Sequence, residues 1–272
     1  MVIFPKAKIN LGLRITGKRP DGFHDIETIF YPVDLCDALE FVNAGENTKE
    51  DILTVTGHQT CGKPEYNLVI RSLRKLRENY SFPILKIHLH KVIPTGAGLG
   101  GGSSDAASTI KAINKFFRLS LSSEDLKAIA LGLGSDCTFF IDGQPAFATG
   151  RGEILQQVRP FLSGYRIVLI NPGIGISTRE AYKNCTPENP EKNLFQLIDQ
   201  PITLWKNLII NDFEKFIFKK YPEIGSIKQA LYNTGALYSS MSGSGSTVYG
   251  IFKGKPELQA KIKENVIFDA VF

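Results

Sequence analysis

Between His90 and Ser108 the chain reads HKVIPTGAGLGGGSSDAAS. Pro94, Thr95, Gly96, Ala97, Gly98, Leu99, Gly100, Gly101 and Gly102 form a glycine-rich loop that Ser103 and Ser104 close. Five glycines in so short a stretch let backbone N–H groups face an anion with no Cβ in the way. A helix opening at Ser103 or Ser104, either of which can be its N-cap, adds free N–H groups and the positive end of a dipole. The two hydroxyls can donate to phosphate or help hold a magnesium ion. The competing reading is a flexible solvent turn.

Three phosphate-site templates can be laid on this loop. The dinucleotide pattern G-x-G-x-x-G fits at Gly96, Gly98 and Gly101, but its context fails. The preceding ILKIHLHKV alternates, Ile87 and Leu89 against Lys86, His88 and His90, whereas a central parallel strand is continuously apolar. The acids at the required later distance, Glu124 and Asp125, open a helix instead of closing a strand. The P-loop pattern nearly fits from Gly96 to Ser103, with Gly102 where the lysine belongs. A protein-kinase loop requires H-R-D and D-F-G segments, which do not follow. What survives is a strand, a glycine loop and a capped helix, the arrangement anion sites use.

The elements around the loop mix strands and helices without a strict βαβ rhythm, which predicts an α+β fold. In the first segment Ala7, Ile9, Leu11 and Leu13 share one strand face, with Lys8, Asn10, Gly12 and Arg14 on the other. Pro20-Asp21-Gly22 is a turn, and DIETIFYPVDL a second strand. NLVIRSLRKLREN reads as a helix for which Asn67 is a cap. SSEDLKAIALGLG is another, serine-capped and ended by Gly134. CTFFI reads as a strand closed by Asp142-Gly143, RIVLI as a strand, and Ser177 to Glu180 (STRE) as a capping box. IGSIKQALYNTGA is a helix ending near Gly235, and SSMSGSGSTVYGIF a second glycine-serine loop running into a strand. Asp105 is expected to complement the helix N-terminus. His88 and His90 share a strand face but have no further metal ligands nearby, so they read as polar-face residues and no metal-ligating set is expected. A domain boundary falls near GRGEILQQVRPFLSGY, giving domains 1–155 and 156–272.

Composition narrows the function classes. The 272 residues, 43% hydrophobic, suffice for one large or two modest cores. A net charge of +5 suits anionic small substrates. It is too diffuse for nucleic acid, since no dense basic run or aromatic-interleaved basic patch is present. No apolar run approaches the roughly 20 residues of a membrane span, and MVIFPKAKINLGLRI lacks the layout of a signal peptide. Cys36, Cys61, Cys137 and Cys185 form no C-x-x-C pair and read as reduced thiols of a cytoplasmic protein. Nothing in the sequence speaks to oligomeric state.

PTGAGLGGGSSDAAS resembles the central ATP-binding motif of the GHMP kinases (galactokinase, homoserine kinase, mevalonate kinase, phosphomevalonate kinase). PKAKINLGLRITGKRPDGFHDIETIF resembles the N-terminal signature of a branch that phosphorylates a cytidyl diphosphate substrate. LGSDCTFF resembles the catalytic-aspartate segment and MSGSGSTVYGIF the third glycine motif, so the resemblance runs over nearly the whole chain. It implies a two-domain α+β kinase with its active site in the cleft between domains, and ATP as co-substrate with Mg2+. Asp136 would be the base that takes the acceptor proton; read alone, it is an ordinary solvated carboxylate or a cap. Lys8 would sit beside it and stabilise alkoxide charge; read alone, it is a solvated strand lysine. Asn10 would help bind the substrate. Phe23, where the family usually has Tyr, would stack on the cytosine and His24 would hydrogen-bond it. Tyr182 would cover the base's other side, with Thr178 a polar contact nearby. Phe23 as a core anchor and Tyr182 as a helix-face residue are the alternatives. Asn67 would lie near the adenine. Ser242, Gly243, Ser244 and Gly245 would support the central loop, or simply lead tightly into a strand. A kinase of this family with another acceptor, and a nucleotide-binding module without catalysis, are the rival functions.

Overall fold

The computed structural model describes residues 1–272 apart from Glu46, Cys61 and Asn189. Its strands in chain order are β1 (Val2–Ile3), β2 (Lys6–Lys18), β3 (His24–Cys36), β4 (Ala38–Asn43), β5 (Ile52–Gly57), β6 (Leu85–Lys91), β7 (Ala146–Thr149), β8 (Ile154–Gln157), β9 (Arg166–Ile170), β10 (Tyr238–Met241), β11 (Val248–Phe252) and β12 (Val266–Val271). They form three four-stranded sheets, ordered β1-β4-β6-β5, β2-β3-β7-β8 and β10-β11-β9-β12. The chain divides into two compact units that interleave in sequence. Unit 1 comprises Met1–Lys8, Pro32–Thr95 and Gly100–Gly143; unit 2 comprises Ile9–Tyr31, Gly96–Leu99 and Gln144–Phe272.

In unit 1 the sheet β1-β4-β6-β5 pairs antiparallel except for the parallel β5–β6 contact. Strand β6 alternates as its sequence predicts: Leu85, Ile87 and Leu89 are buried, while Lys86, His88 and His90 face out. His88 and His90 both hydrogen-bond the Thr56 hydroxyl at 2.9 Å. Helix α1 (Leu68–Arg77) buries Val69, Ile70, Leu73 and Leu76, and packs on α2 (Gly101–Phe117), which buries Ala106, Ile110 and Ile113. Helix α3 (Ser123–Leu131) is capped by Ser122 in a reciprocal box with Asp125, and its C-cap is Gly132, two residues before the expected Gly134.

CTFFI is a helix, α4 (Cys137–Asp142), and not the expected strand. Cys137, Thr138, Phe139, Phe140 and Ile141 are all buried. A short run buried all round has no period to read, so strand and helix look alike in sequence. Gly143, at φ 63° with its N–H on Phe139 O at 2.9 Å, supplies a left-handed helix end.

In unit 2 the sheet β10-β11-β9-β12 is antiparallel throughout. Its core joins Val168, Ile170, Met241 and Val248 to Phe213, Ile217, Ile224 and Leu231 of the helices Phe213–Lys220 and Pro222–Asn233. Burying each such side chain contributes about 1.5–3 kcal/mol. Gly235 takes φ 94° just past the second of these helices, close to its expected end. Helix α5 (Thr178–Lys183) has Ser177 as N-cap, accepting Glu180 N–H at 3.3 Å. The second half of the expected capping box is replaced: the Glu180 carboxylate pairs with Lys220 at 2.5 Å. No helix among the described residues is long and apolar enough to cross a membrane.

Candidate active site

The glycine loop takes the backbone shape that its composition anticipates. Gly96, Gly98 and Gly100 have φ of 69°, 79° and 70°, a left-handed region that side chains rarely adopt. Gly100 itself is the N-cap of α2, and Ser104 N–H bonds to Gly100 O at 2.9 Å. The expected cap at Ser103 or Ser104 is therefore displaced: both serines lie inside the first turn. The Ser104 hydroxyl is buried with no hydrogen-bond partner among the described residues.

Unit 1 brings together Asp136, the expected base, and Lys8, expected beside it to stabilise alkoxide charge. Lys8 Nζ lies 3.5 Å from Asp136 Oδ2, with the lysine side chain 4% and the aspartate 37% exposed. Lys8 is thus not on a solvated strand face. Burial pulls its pKa below the ordinary lysine value, against the opposing pull of Asp136. Asp136 occupies the N-cap position of α4, yet its carboxylate makes no capping bond. An aspartate at a cap position that leaves the cap unmade keeps its oxygens for another partner. A Cβ on Gly100 would stand 3.1 Å from Lys8 Cε and 2.9 Å from the Phe140 ring. The N-terminus of α2 therefore abuts the Lys8–Asp136 pair. Asn67, also in unit 1, caps α1 by accepting Val69 N–H through Oδ1 at 2.9 Å.

Unit 2 assembles the third glycine motif around Ser242. Its buried hydroxyl donates to Gly98 O at 2.8 Å and accepts Asn10 N–H at 3.1 Å. Asn10 is buried as well, with Nδ2 donating to Thr28 Oγ1 at 3.0 Å and its carbonyl accepting Tyr249 OH at 2.8 Å. Asn211 donates to Met241 O and Gly243 O, both at 2.8 Å, and so holds the same motif from below. Its position in IINDFE offers no sequence signal, because a lone Asn between apolar stretches usually marks a turn.

The aromatic residues of unit 2 group differently from a simple pair facing one base. His24 stacks on Tyr182 with centroids 5.0 Å apart, and Tyr182 meets Phe213 edge-on at 4.9 Å. Phe23 is 54% exposed, which removes the core-anchor reading, and carries the Arg151 guanidinium 4.9 Å above its ring. Thr178 Oγ1 hydrogen-bonds Ser244 Oγ at 2.9 Å, tying α5 to the third motif. Arg151 lacked a sequence signal because it lies in the turn between β7 and β8, 128 residues along the chain from Phe23.

Asp105 does not take the expected place at the helix N-terminus. It lies beyond the first turn of α2, is 2% exposed, and pairs with buried Lys91 at 2.8 Å instead of complementing the helix end. Lys91 also pairs with buried Asp37. Burial raises the Asp105 pKa to about 7, more than Lys91 lowers it.

The chain is similar in sequence and in fold to known proteins. The GHMP kinases N terminal domain model matches residues 67–150 and the GHMP kinases C terminal model residues 191–267. These matches define the class: a GHMP-type small-molecule kinase. A Bacteroides thetaiotaomicron protein named 4-diphosphocytidyl-2-C-methyl-D-erythritol kinase is 49% identical over 253 residues, covering 93% of this chain and 92% of the relative. The protein of the same name from Parabacteroides distasonis is 47% identical over 272 residues, covering 100% and 97%. A crystal structure of 4-(cytidine 5'-diphospho)-2C-methyl-D-erythritol kinase superposes with a TM-score of 0.75 at 30% identity, covering 93% of this chain and 91% of that one. The chain belongs to the 4-diphosphocytidyl-2-C-methyl-D-erythritol kinase family.

Proposed function

We propose that this kinase transfers the γ-phosphoryl group of ATP to the 2-hydroxyl of 4-diphosphocytidyl-2-C-methyl-D-erythritol, a step toward isoprenoid precursors by the non-mevalonate route. The observation that carries the proposal is the Lys8–Asp136 pair abutting the N-terminus of α2. Phosphoryl transfer asks for an oriented hydroxyl, a proton acceptor and neutralised phosphate oxygens. Asp136 takes the proton of the 2-hydroxyl as that oxygen bonds to the γ-phosphorus. The bond from the γ-phosphorus to the bridging oxygen breaks, and its electron pair leaves with ADP. Lys8 steadies the negative charge that develops on the acceptor oxygen.

The backbone of Pro94 to Gly102, with Ser103 and Ser104, cradles the phosphates, and Asn67 meets the adenine through Nδ2, its Oδ1 being committed to the cap. Magnesium bound to nucleotide keeps most of its shell as phosphate and water, and needs few protein oxygens. The unpartnered Ser104 hydroxyl fits that modest requirement. When bound with ATP, magnesium supplies charge neutralisation that Gly102, standing where a P-loop has lysine, does not. Phe23, His24, Tyr182 and Thr178 hold the cytosine end, and Asn10 supports the acceptor. The unpaired thiols of Cys36, Cys137 and Cys185 suit a cytoplasmic location; Cys61 lies outside the described residues.

Removing the exposed ring in Phe23→Ala raises KM for the cytidyl substrate about tenfold, since stacking on a base contributes about 1–3 kcal/mol. KM for ATP stays within twofold, and steady-state kinetics with each substrate varied checks both values. The function itself is tested with purified protein, γ-labelled ATP and a panel of the cytidyl substrate, mevalonate and homoserine. Label moves to the cytidyl substrate. Transfer to another acceptor alone, or to none despite bound ATP, refutes the assignment.

A further inference from the structure

We propose that Lys91, Asp37 and Asp105 form a buried positioning triad that fixes both ends of the glycine loop and so sets affinity for the nucleotide without touching it. The three side chains are 2%, 0% and 3% exposed, and all belong to unit 1. The Lys91 ammonium, at the end of β6, bridges Asp37, between β3 and β4, and Asp105 in α2. The second oxygen of Asp37 accepts Val92 N–H at 2.6 Å and Ile93 N–H at 2.8 Å, the two residues that lead into Pro94. One end of the loop thus hangs from Asp37, the other continues into the helix that carries Asp105, and a single ammonium joins them. The joint is tight. A Cβ on Gly101 would stand 2.9 Å from Ile93 Cγ2 and 3.1 Å from Lys91 Nζ.

A cation against a helix N-terminus opposes the dipole unless carboxylates accompany it. Two carboxylates and one ammonium leave a net charge of −1 below a loop that receives phosphates. Asp105 Oδ1 is buried and has no hydrogen-bond partner among the described residues, a poor setting for a negative oxygen. The charged groups facing Asp105 are Lys91 from β6 and Asp37 from the β3–β4 junction. Helix α1 meets this stretch through uncharged Ser72, whose hydroxyl donates to Ala106 O at 3.3 Å.

The proposal rests on the reading that Pro94 to Ser104 holds ATP. Its test is calorimetric binding of the non-hydrolysable analogue AMP-PNP with Mg2+ to wild type, Asp105→Asn and Asp105→Ala, with kinetics alongside. Asp105→Asn keeps the shape and an oxygen for Lys91, so its AMP-PNP affinity stays within twofold of wild type. Asp105→Ala releases the helix end, weakens AMP-PNP about tenfold, and raises KM for ATP with kcat and KM for the cytidyl substrate within twofold, the split that marks lost binding alone. Matching circular dichroism spectra establish that each variant is folded. Binding by Asp105→Ala with wild-type affinity overturns the triad and spares the nucleotide-site reading. No binding by wild type overturns both.

Discussion

Asp136→Asn loses most turnover and keeps nucleotide binding. Proton transfer by a positioned base contributes about 10²–10⁴-fold, so kcat falls by that factor, a barrier increase of roughly 3–5 kcal/mol. The asparagine matches the carboxylate in size and can still accept from Lys8, so neither the α4 cap position nor the Lys8 pocket needs to rearrange. AMP-PNP binding stays within twofold, as does the denaturant midpoint. Turnover unchanged in this variant removes the base role. Turnover lost together with AMP-PNP binding makes Asp136 a structural residue.

Gly98→Ala has the second largest effect, and it acts through the loop. An alanine Cβ at this φ of 79° would lie 1.9 Å from Ser242 O and 2.9 Å from its carbonyl carbon. These are backbone atoms and cannot turn aside as a flexible side chain does. Gly98 O is also the acceptor for the Ser242 hydroxyl, so the displacement breaks that bond. Left-handed strain of about 1–2 kcal/mol and overpacking of about 1–3 kcal/mol together give a loss of roughly 2–5 kcal/mol. KM for ATP rises at least tenfold in whatever fraction stays folded. Gly96→Ala is the control. Its Cβ meets nothing within 4 Å, so only the left-handed strain of about 1–2 kcal/mol applies. Urea titration of the two variants gives the comparison, and equal losses contradict the contact argument.

Much of this was legible in residue patterns. The alternation of β6, the Asn67 cap of α1 and a serine cap on α3 each follow from one local rule, and each is present. The glycines of the central loop announced left-handed backbone, and three of them adopt it. Failures fall where a long-range partner decides. CTFFI has no period because every side is buried, so only packing makes it helical. Ser103 and Ser104 are good caps, but Gly100 reaches the left-handed cap conformation first. Asp105 and Glu180 have the sequence position for helix-end roles and are drawn off by Lys91 and Lys220. Lys8 and Asn10 sit on what reads as the polar face of a strand, yet both faces of β2 are buried there. The meeting of Lys8 with Asp136, across 128 residues of chain, came from family resemblance; spacing has no means of showing it.

Transfer is regiospecific for one hydroxyl, and a phosphorus spectrum of the reaction product reads it directly. In 4-diphosphocytidyl-2-C-methyl-D-erythritol the carbon bearing the 2-hydroxyl also bears the methyl group and carries no hydrogen. A phosphomonoester at that oxygen has no three-bond coupling to a carbinol proton, so its new proton-coupled ³¹P resonance is a singlet. Its intensity grows with ADP in equal amounts, and about 10²–10⁴-fold more slowly with Asp136→Asn. A doublet or triplet places phosphate on a neighbouring hydroxyl and contradicts the account, and ADP formed without any new phosphomonoester contradicts it more completely.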